Sequence, residues 1–108
     1  MTAPSTPAEP RIPIERERIA DFCRRWRVTE FALFGSVLRE DFRPDSDVDV
    51  LVSFDPGADW GLAEWMDMLA ELRGLFNRDV DLVSKRSLKN PFRRHEILNT
   101  RQVIYHAA

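Results

Sequence analysis

Asp47 and Asp49 stand two residues apart in FGSVLREDFRPDSDVDVLV, residues 34–52, which also carries three further acids, two arginines and a Gly-Ser pair. The segment DVDVLVSF (47–54) reads as a strand closed by the Asp-Pro-Gly turn signal at 55–57. Successive strand side chains take opposite faces, so the two carboxylates share one face while Val48 and Val50 take the other. Such a pair forms an acidic edge that a divalent cation can bridge. Mg2+ suits it, because it takes carboxylate oxygens at about 2.1 Å and keeps waters that a phosphate oxygen can replace. A neighbouring strand would supply a third acid. DVDLVS (79–84) offers Asp79 or Asp81, which alternation places on one face without choosing between them. Two such charges about 4 Å apart repel by about 4 kcal/mol at an effective dielectric of 20, so something positive must occupy the arrangement. The competing explanation is a solvated sheet edge whose charges oppose aggregation.

Gly35 and Ser36 lie at the end of VTEFALF (28–34), a second strand-like run. Backbone N–H groups at a strand-to-turn junction can bind an anion, and a glycine there lets a phosphate approach closely. The Ser36 hydroxyl can donate to the same phosphate. Arg39, three residues further on, can reach a phosphate bidentately, or it can pair with Asp41 or Asp45. Ser46 reads as a loop hydrogen-bonding residue. A phosphate cradle about ten residues before an acidic metal edge points to nucleoside-triphosphate chemistry.

The elements that position these groups follow from periodicity. Residues 1–13, MTAPSTPAEPRIP, hold four prolines and read as a disordered tail; residues 14–108 read as one domain. Ile19, Phe22, Cys23 and Trp26 recur at helical spacing over 14–26. A short helical turn is expected over 35–40 and a loop over 41–46, punctuated by Pro44. Leu62, Trp65, Met66, Leu69, Leu72 and Phe76 form an apolar stripe on a helix over 61–76, read as core. Asn90-Pro91 reads as an N-cap and first helical residue, opening a helix to about 99; VIY (103–105) is a short closing strand. Strand–helix alternation with few strands implies an α/β (α+β) fold, a small mixed sheet of three to four strands flanked by helices.

With 108 residues, 44% hydrophobic and 31% charged, the chain is an ordinary globular domain in composition. A net charge of −2 gives no reason to expect nucleic-acid binding or attraction to an anionic membrane. Fourteen arginines against two lysines fit either genome composition or recognition of phosphate and carboxylate. Cys23 is the lone cysteine, which excludes an intrachain disulfide. No secretory signal and no apolar run of about 20 residues is present, so a cytoplasmic location is expected.

The pattern Gly35-Ser36-x-x-Arg39 through Ser46-Asp47-x-Asp49-x-Leu51-Val52 resembles the nucleotidyltransferase superfamily of DNA polymerase β. Within it, the pattern is similar to the minimal nucleotidyltransferases (MNT), antitoxins encoded beside HEPN-domain toxins. The likeness spans about residues 14–106 and ends in the family-like Ile104-Tyr105; Glu40 stands where many members carry glycine. The family's Val-Asp-Leu-Val strand matches residues 80–83, which prefers Asp81 over Asp79 as third acid.

The resemblance implies two Mg2+ ions held by Asp47, Asp49 and Asp81, and ATP gripped by Gly35 and Ser36, with Arg39 beside them. It also implies transfer of AMP to a tyrosine hydroxyl of the toxin. Larger relatives carry an extra helical domain enclosing base and acceptor, so a partner surface is expected to complete the site here. Trp60, Arg93, Arg94 and His95 are candidates for contacting it. The other readings are a binding antitoxin that acts by occlusion and a small-molecule nucleotidyltransferase.

Overall fold

Five of the seven residues of VTEFALF are apolar and six are buried, Glu30 among them, and this run becomes an inner strand of the sheet. The computed structural model describes residues 10–107. Its elements are helix α1 (Arg16–Arg25), strand β1 (Val28–Phe34), a 3-10 turn (Gly35–Leu38) and strand β2 (Val48–Phe54). Helix α2 (Leu62–Phe76), strand β3 (Val80–Ser84), a second 3-10 turn (Lys85–Ser87), helix α3 (Pro91–Thr100) and strand β4 (Gln102–His106) follow. The four strands form one mixed sheet in the order β3-β2-β1-β4, with β1 antiparallel to both neighbours and β2 parallel to β3. Parallel strands need a crossover connection, and α2 is that connection. The expected small mixed sheet flanked by helices is the observed fold.

Side-chain alternation divides the core into two layers. On one face, Phe31 and Leu33 of β1 and Val48, Val50 and Val52 of β2 pack with Ile19, Phe22 and Cys23 of α1 and Met68 and Leu72 of α2. On the other face, Ala32, Phe34 and Leu51 pack with Leu88 and with Ile97 of α3. Burial pushes the Cys23 thiol up to about 12, which makes it a small apolar core residue rather than a reactive one. Asp49 and Asp81 share the second face with Leu51 and Val83, so the acidic edge lies on the α3 side.

Three expectations change in detail. The core-facing stripe of α2 centres on Met68 and Leu72, with Trp65, Leu69, Leu75 and Phe76 around them, while Leu62 is 77% and Met66 50% exposed. This helix is apolar on more than one face, and contact with the sheet selects among them. Asp47 falls just before β2 rather than within it. Of the expected tail, residues 1–9 lie outside the described residues. Arg11 N–H donates to the Val37 carbonyl at 2.8 Å, and Ile12 packs against the core.

Two side-chain arrangements lock the layers. Glu71 of α2 accepts from the Trp26 indole at 2.9 Å and from the Arg25 guanidinium, which holds its carboxyl below the usual range and ties α1 to α2. On the α3 side, Glu30 is only 9% exposed and accepts from Arg101 Nε at 2.8 Å, with Lys85 Nζ at 3.9 Å. Arg101→Ala is expected to destabilise the fold by about 2 kcal/mol, because it strips a shielded carboxylate of its main partner. Urea unfolding should recover part of that loss in the Glu30→Gln/Arg101→Ala double variant; strictly additive losses would refute the pairing.

Candidate active site

The Gly35 turn and the start of β2 are brought together by the antiparallel pairing of β1 with β2, in which Phe34 is opposite Asp49. Gly35 therefore lies against the Asp49 side chain. Its φ is +76°, a conformation that favours glycine, and a Cβ built on it would sit 2.3 Å from Asp49 Oδ2. Glycine is favoured at this position on both counts. Ser36 follows in the 3-10 turn and is half-buried, so its hydroxyl remains within reach of a ligand.

Parallel pairing of β2 with β3 places the two candidate third acids differently. Asp49 is the direct partner of Asp81, whose side chain shares its face of the sheet. Asp79 precedes β3 and lines a separate hollow with Pro44, Arg73 and Asn77; its carbonyl accepts from Val48 N–H at 3.0 Å. Burial first, then the charges of Asp81 and Asp47, push the Asp49 carboxyl up to about 6. Asp49 thus feels the charge of both other aspartates. As they stand, no group of three His, Cys, Asp or Glu side chains among the described residues is gathered closely enough to hold a metal ion. The donor types nevertheless suit Mg2+: they are all carboxylates, Gly35 leaves room beside Asp49, and the like charges of Asp81 and Asp47 load Asp49 in a way a cation would relieve.

Positive charge comes from two arginines. Arg39 lies just beyond the 3-10 turn, with its Nε donating to Asp41 Oδ1 at 3.1 Å; the alternative pairing read from the sequence is the one present. The pair is largely exposed, and the Arg39 charge still lowers the Asp49 carboxyl. Arg93 of α3 acts on Asp49 in the same sense. Arg93 and Ile97 face Phe34, Gly35 and Arg39 across a hollow of about 360 Å³. The family resemblance leads only to a partner-facing role for Arg93. Its place beside the carboxylates depends on α3 folding back over the sheet, where Asn90 Oδ1 caps the helix by accepting from the Phe92 and Arg93 N–H groups at 3.0 and 3.1 Å.

The remaining candidates also make contacts within the fold. Trp60 donates its indole N–H to the Trp26 carbonyl at 2.9 Å and stacks edge-on against that ring. Arg94 donates to the Lys85 carbonyl at 3.0 Å, and His95 contacts Asn99 within α3. Ser46 Oγ accepts from Arg43 N–H at 3.0 Å, the loop role expected of it.

An acidic β2 start beside a glycine-led turn, on a mixed sheet with α3 packed behind it, defines a nucleotidyltransferase fold. Residues 16–104 match the model of the nucleotidyltransferase domain family, and the chain belongs to that family. It is 36% identical over 81 residues to the protein adenylyltransferase MntA of Thermococcus cleftensis, covering 75% of this chain and 77% of the relative. The fold is shared with a toxin–antitoxin crystal structure containing AMP-PNP (TM-score 0.69, 19% identity, 87% of this chain and 75% of that one). It is shared too with the MNT antitoxin bound to a tri-AMPylated Shewanella oneidensis HEPN toxin (TM-score 0.61, 19% identity, 85% and 70%). No helix among the described residues is long and apolar enough to cross a membrane.

Proposed function

We propose that the chain is an antitoxin that transfers AMP from ATP to a tyrosine hydroxyl of a partner HEPN-domain toxin. The observation carrying this reading is the alignment of Asp49 with Asp81 on adjacent parallel strands, against the bare backbone of Gly35. The similarity to a protein adenylyltransferase supports it, as does the shared fold with a complex containing AMP-PNP. Asp47, Asp49 and Asp81 would hold two Mg2+ ions, which would neutralise the triphosphate and activate the acceptor hydroxyl. Gly35 and Ser36 present turn N–H groups and a hydroxyl to the β- and γ-phosphates. Arg39 and Arg93 add positive charge at the rim. The acceptor oxygen attacks the α-phosphorus in line, its proton passes to Asp81, and the bond to the β-phosphate breaks to release pyrophosphate.

Incubation with α-labelled ATP, Mg2+ and a HEPN-domain partner should transfer label to the partner and not to its Tyr→Phe variant. Absence of transfer under every metal condition refutes the reading. Occlusion without chemistry has its own support in Phe92, 85% exposed, and Leu62, 77% exposed, which are large apolar side chains available to a partner. Protection of toxin-expressing cells by Asp49→Ala would favour occlusion; loss of protection favours transfer.

A further inference from the structure

Asp47 sits one residue before the ladder that holds Asp49 and Asp81, so strand pairing anchors it on its Val48 side and the preceding loop must hold it on the other. In the loop leading into it, residues 42–46, Phe42 packs against the core and Ser46 Oγ accepts from Arg43 N–H, and one side chain from outside the loop reaches across it. Arg78 Nη1 donates to the Arg43 carbonyl at 3.3 Å and to the Ser46 carbonyl at 3.2 Å. Its guanidinium carbon lies 4.6 Å from the centre of the Phe42 ring. A flat, delocalised cation can stack on an aromatic face and still donate sideways to two carbonyls; an ammonium cannot match that geometry. Inside the loop, Ser46 N–H donates to the Arg43 carbonyl at 2.9 Å, which closes the turn that the Arg78 clamp grips. Asn77, at φ +56°, ends α2 in the left-handed conformation immediately before Arg78. The same connection continues into Asp79, whose carbonyl bonds Val48 N–H, and then into β3 with Asp81.

We propose that Arg78 is the positioning residue for Asp47, clamping the 42–46 loop so that this carboxylate keeps a fixed offset from Asp49 and Asp81. The inference rests on the nucleotidyl-transfer reading of those three carboxylates. One short connection then sets two of them at once: β3 carries Asp81 directly, and Arg78 carries Asp47 through backbone carbonyls. Groups that orient metal ligands without touching the metal affect affinity by about 10–100-fold when removed.

The test is Mn2+ binding to the full chain by calorimetry, without nucleotide or partner, in Arg78→Ala, Arg78→Lys, Asp47→Ala and the Arg78→Ala/Asp47→Ala pair. Arg78→Ala should weaken Mn2+ binding about tenfold, and Arg78→Lys should restore only part of it. The double variant should bind no more weakly than Asp47→Ala alone, a non-additivity that a general loss of stability would not produce. Wild-type affinity in Arg78→Ala, or fully additive losses, overturns the positioning role while leaving the transfer reading intact. Failure of the wild-type chain to bind Mn2+ strikes the reading of the carboxylates, and the Arg78 role with it. If Arg78→Ala does not fold, Phe42→Leu tests the same clamp by removing its aromatic seat. It should weaken Mn2+ binding by a smaller factor, about two- to threefold, and unchanged binding there also overturns the proposal.

Discussion

Asp49→Asn is expected to make the metal-free protein more stable at pH 8 while removing nucleotidyl transfer. Burial and two neighbouring carboxylates raise the Asp49 carboxyl from its ordinary 3.8 to about 6 in the folded state. A folded value above the unfolded one means that the folded state holds the proton more tightly. Its stabilising contribution is complete below about pH 4 and is lost as pH rises through about 6. At pH 8 the ionised side chain therefore costs stability. The full shift corresponds to about 3 kcal/mol, and solvent screening of a half-buried group reduces that to about 1–2 kcal/mol. Asparagine keeps the shape and drops the charge, so the melting temperature in EDTA should rise by several degrees at pH 8. The gain should vanish near pH 4. Added Mg2+ should raise the melting temperature of the wild type alone, through preferential binding to the folded chain. Transfer should fall by about 10³-fold, the equivalent of several kcal/mol of charge stabilisation. A variant no more stable than wild type at pH 8 would show that the carboxylates do not burden one another.

Gly35→Ala should damage both the fold and the site, and a double-variant cycle separates the two effects. The positive φ of Gly35 costs a residue with a Cβ about 1–2 kcal/mol. The new methyl group also collides with Asp49 Oδ2, so the carboxylate must swing away from the edge it shares with Asp81. Together these should destabilise the chain by about 2–3 kcal/mol. Transfer should drop further than stability explains. In an Asp49→Ala background the collision disappears, because the remaining Asp49 Cβ is at an ordinary 3.6 Å. The cost of Gly35→Ala should shrink there to its backbone component, leaving a coupling of about 1 kcal/mol by chemical denaturation. Additive costs would mean that Asp49 does not lie over Gly35.

Much of this architecture was legible in local pattern. Apolar spacing located all four strands and three helices to within a residue or two, because amphipathic period and capping residues such as Asn90 are local properties. What escaped depends on pairing between distant segments. Alternation does not choose between Asp79 and Asp81, since which residue lies opposite Asp49 depends on the register of β3 against β2. The family pattern preferred Asp81, and the register places that residue beside Asp49. Arg93 reaches the site only through the return of α3 over the sheet, and Arg101 meets Glu30 across 71 residues of chain. Met68 lies outside the apolar stripe that spacing alone picks out, because α2 is apolar on more than one face and only contact with the sheet selects one.

The strand order gives the outermost position on one side to β3, which has a single hydrogen-bonded neighbour, while β2 is flanked on both sides. Asp81 is therefore mounted on one of the sheet's two margins, and Asp49 on an anchored rail. Gentle warming or mild denaturant should open this margin before the core melts, releasing one aspartate from the other while most helical signal persists. Competence would be switched off by a local, reversible loosening, well short of collapse of the whole molecule.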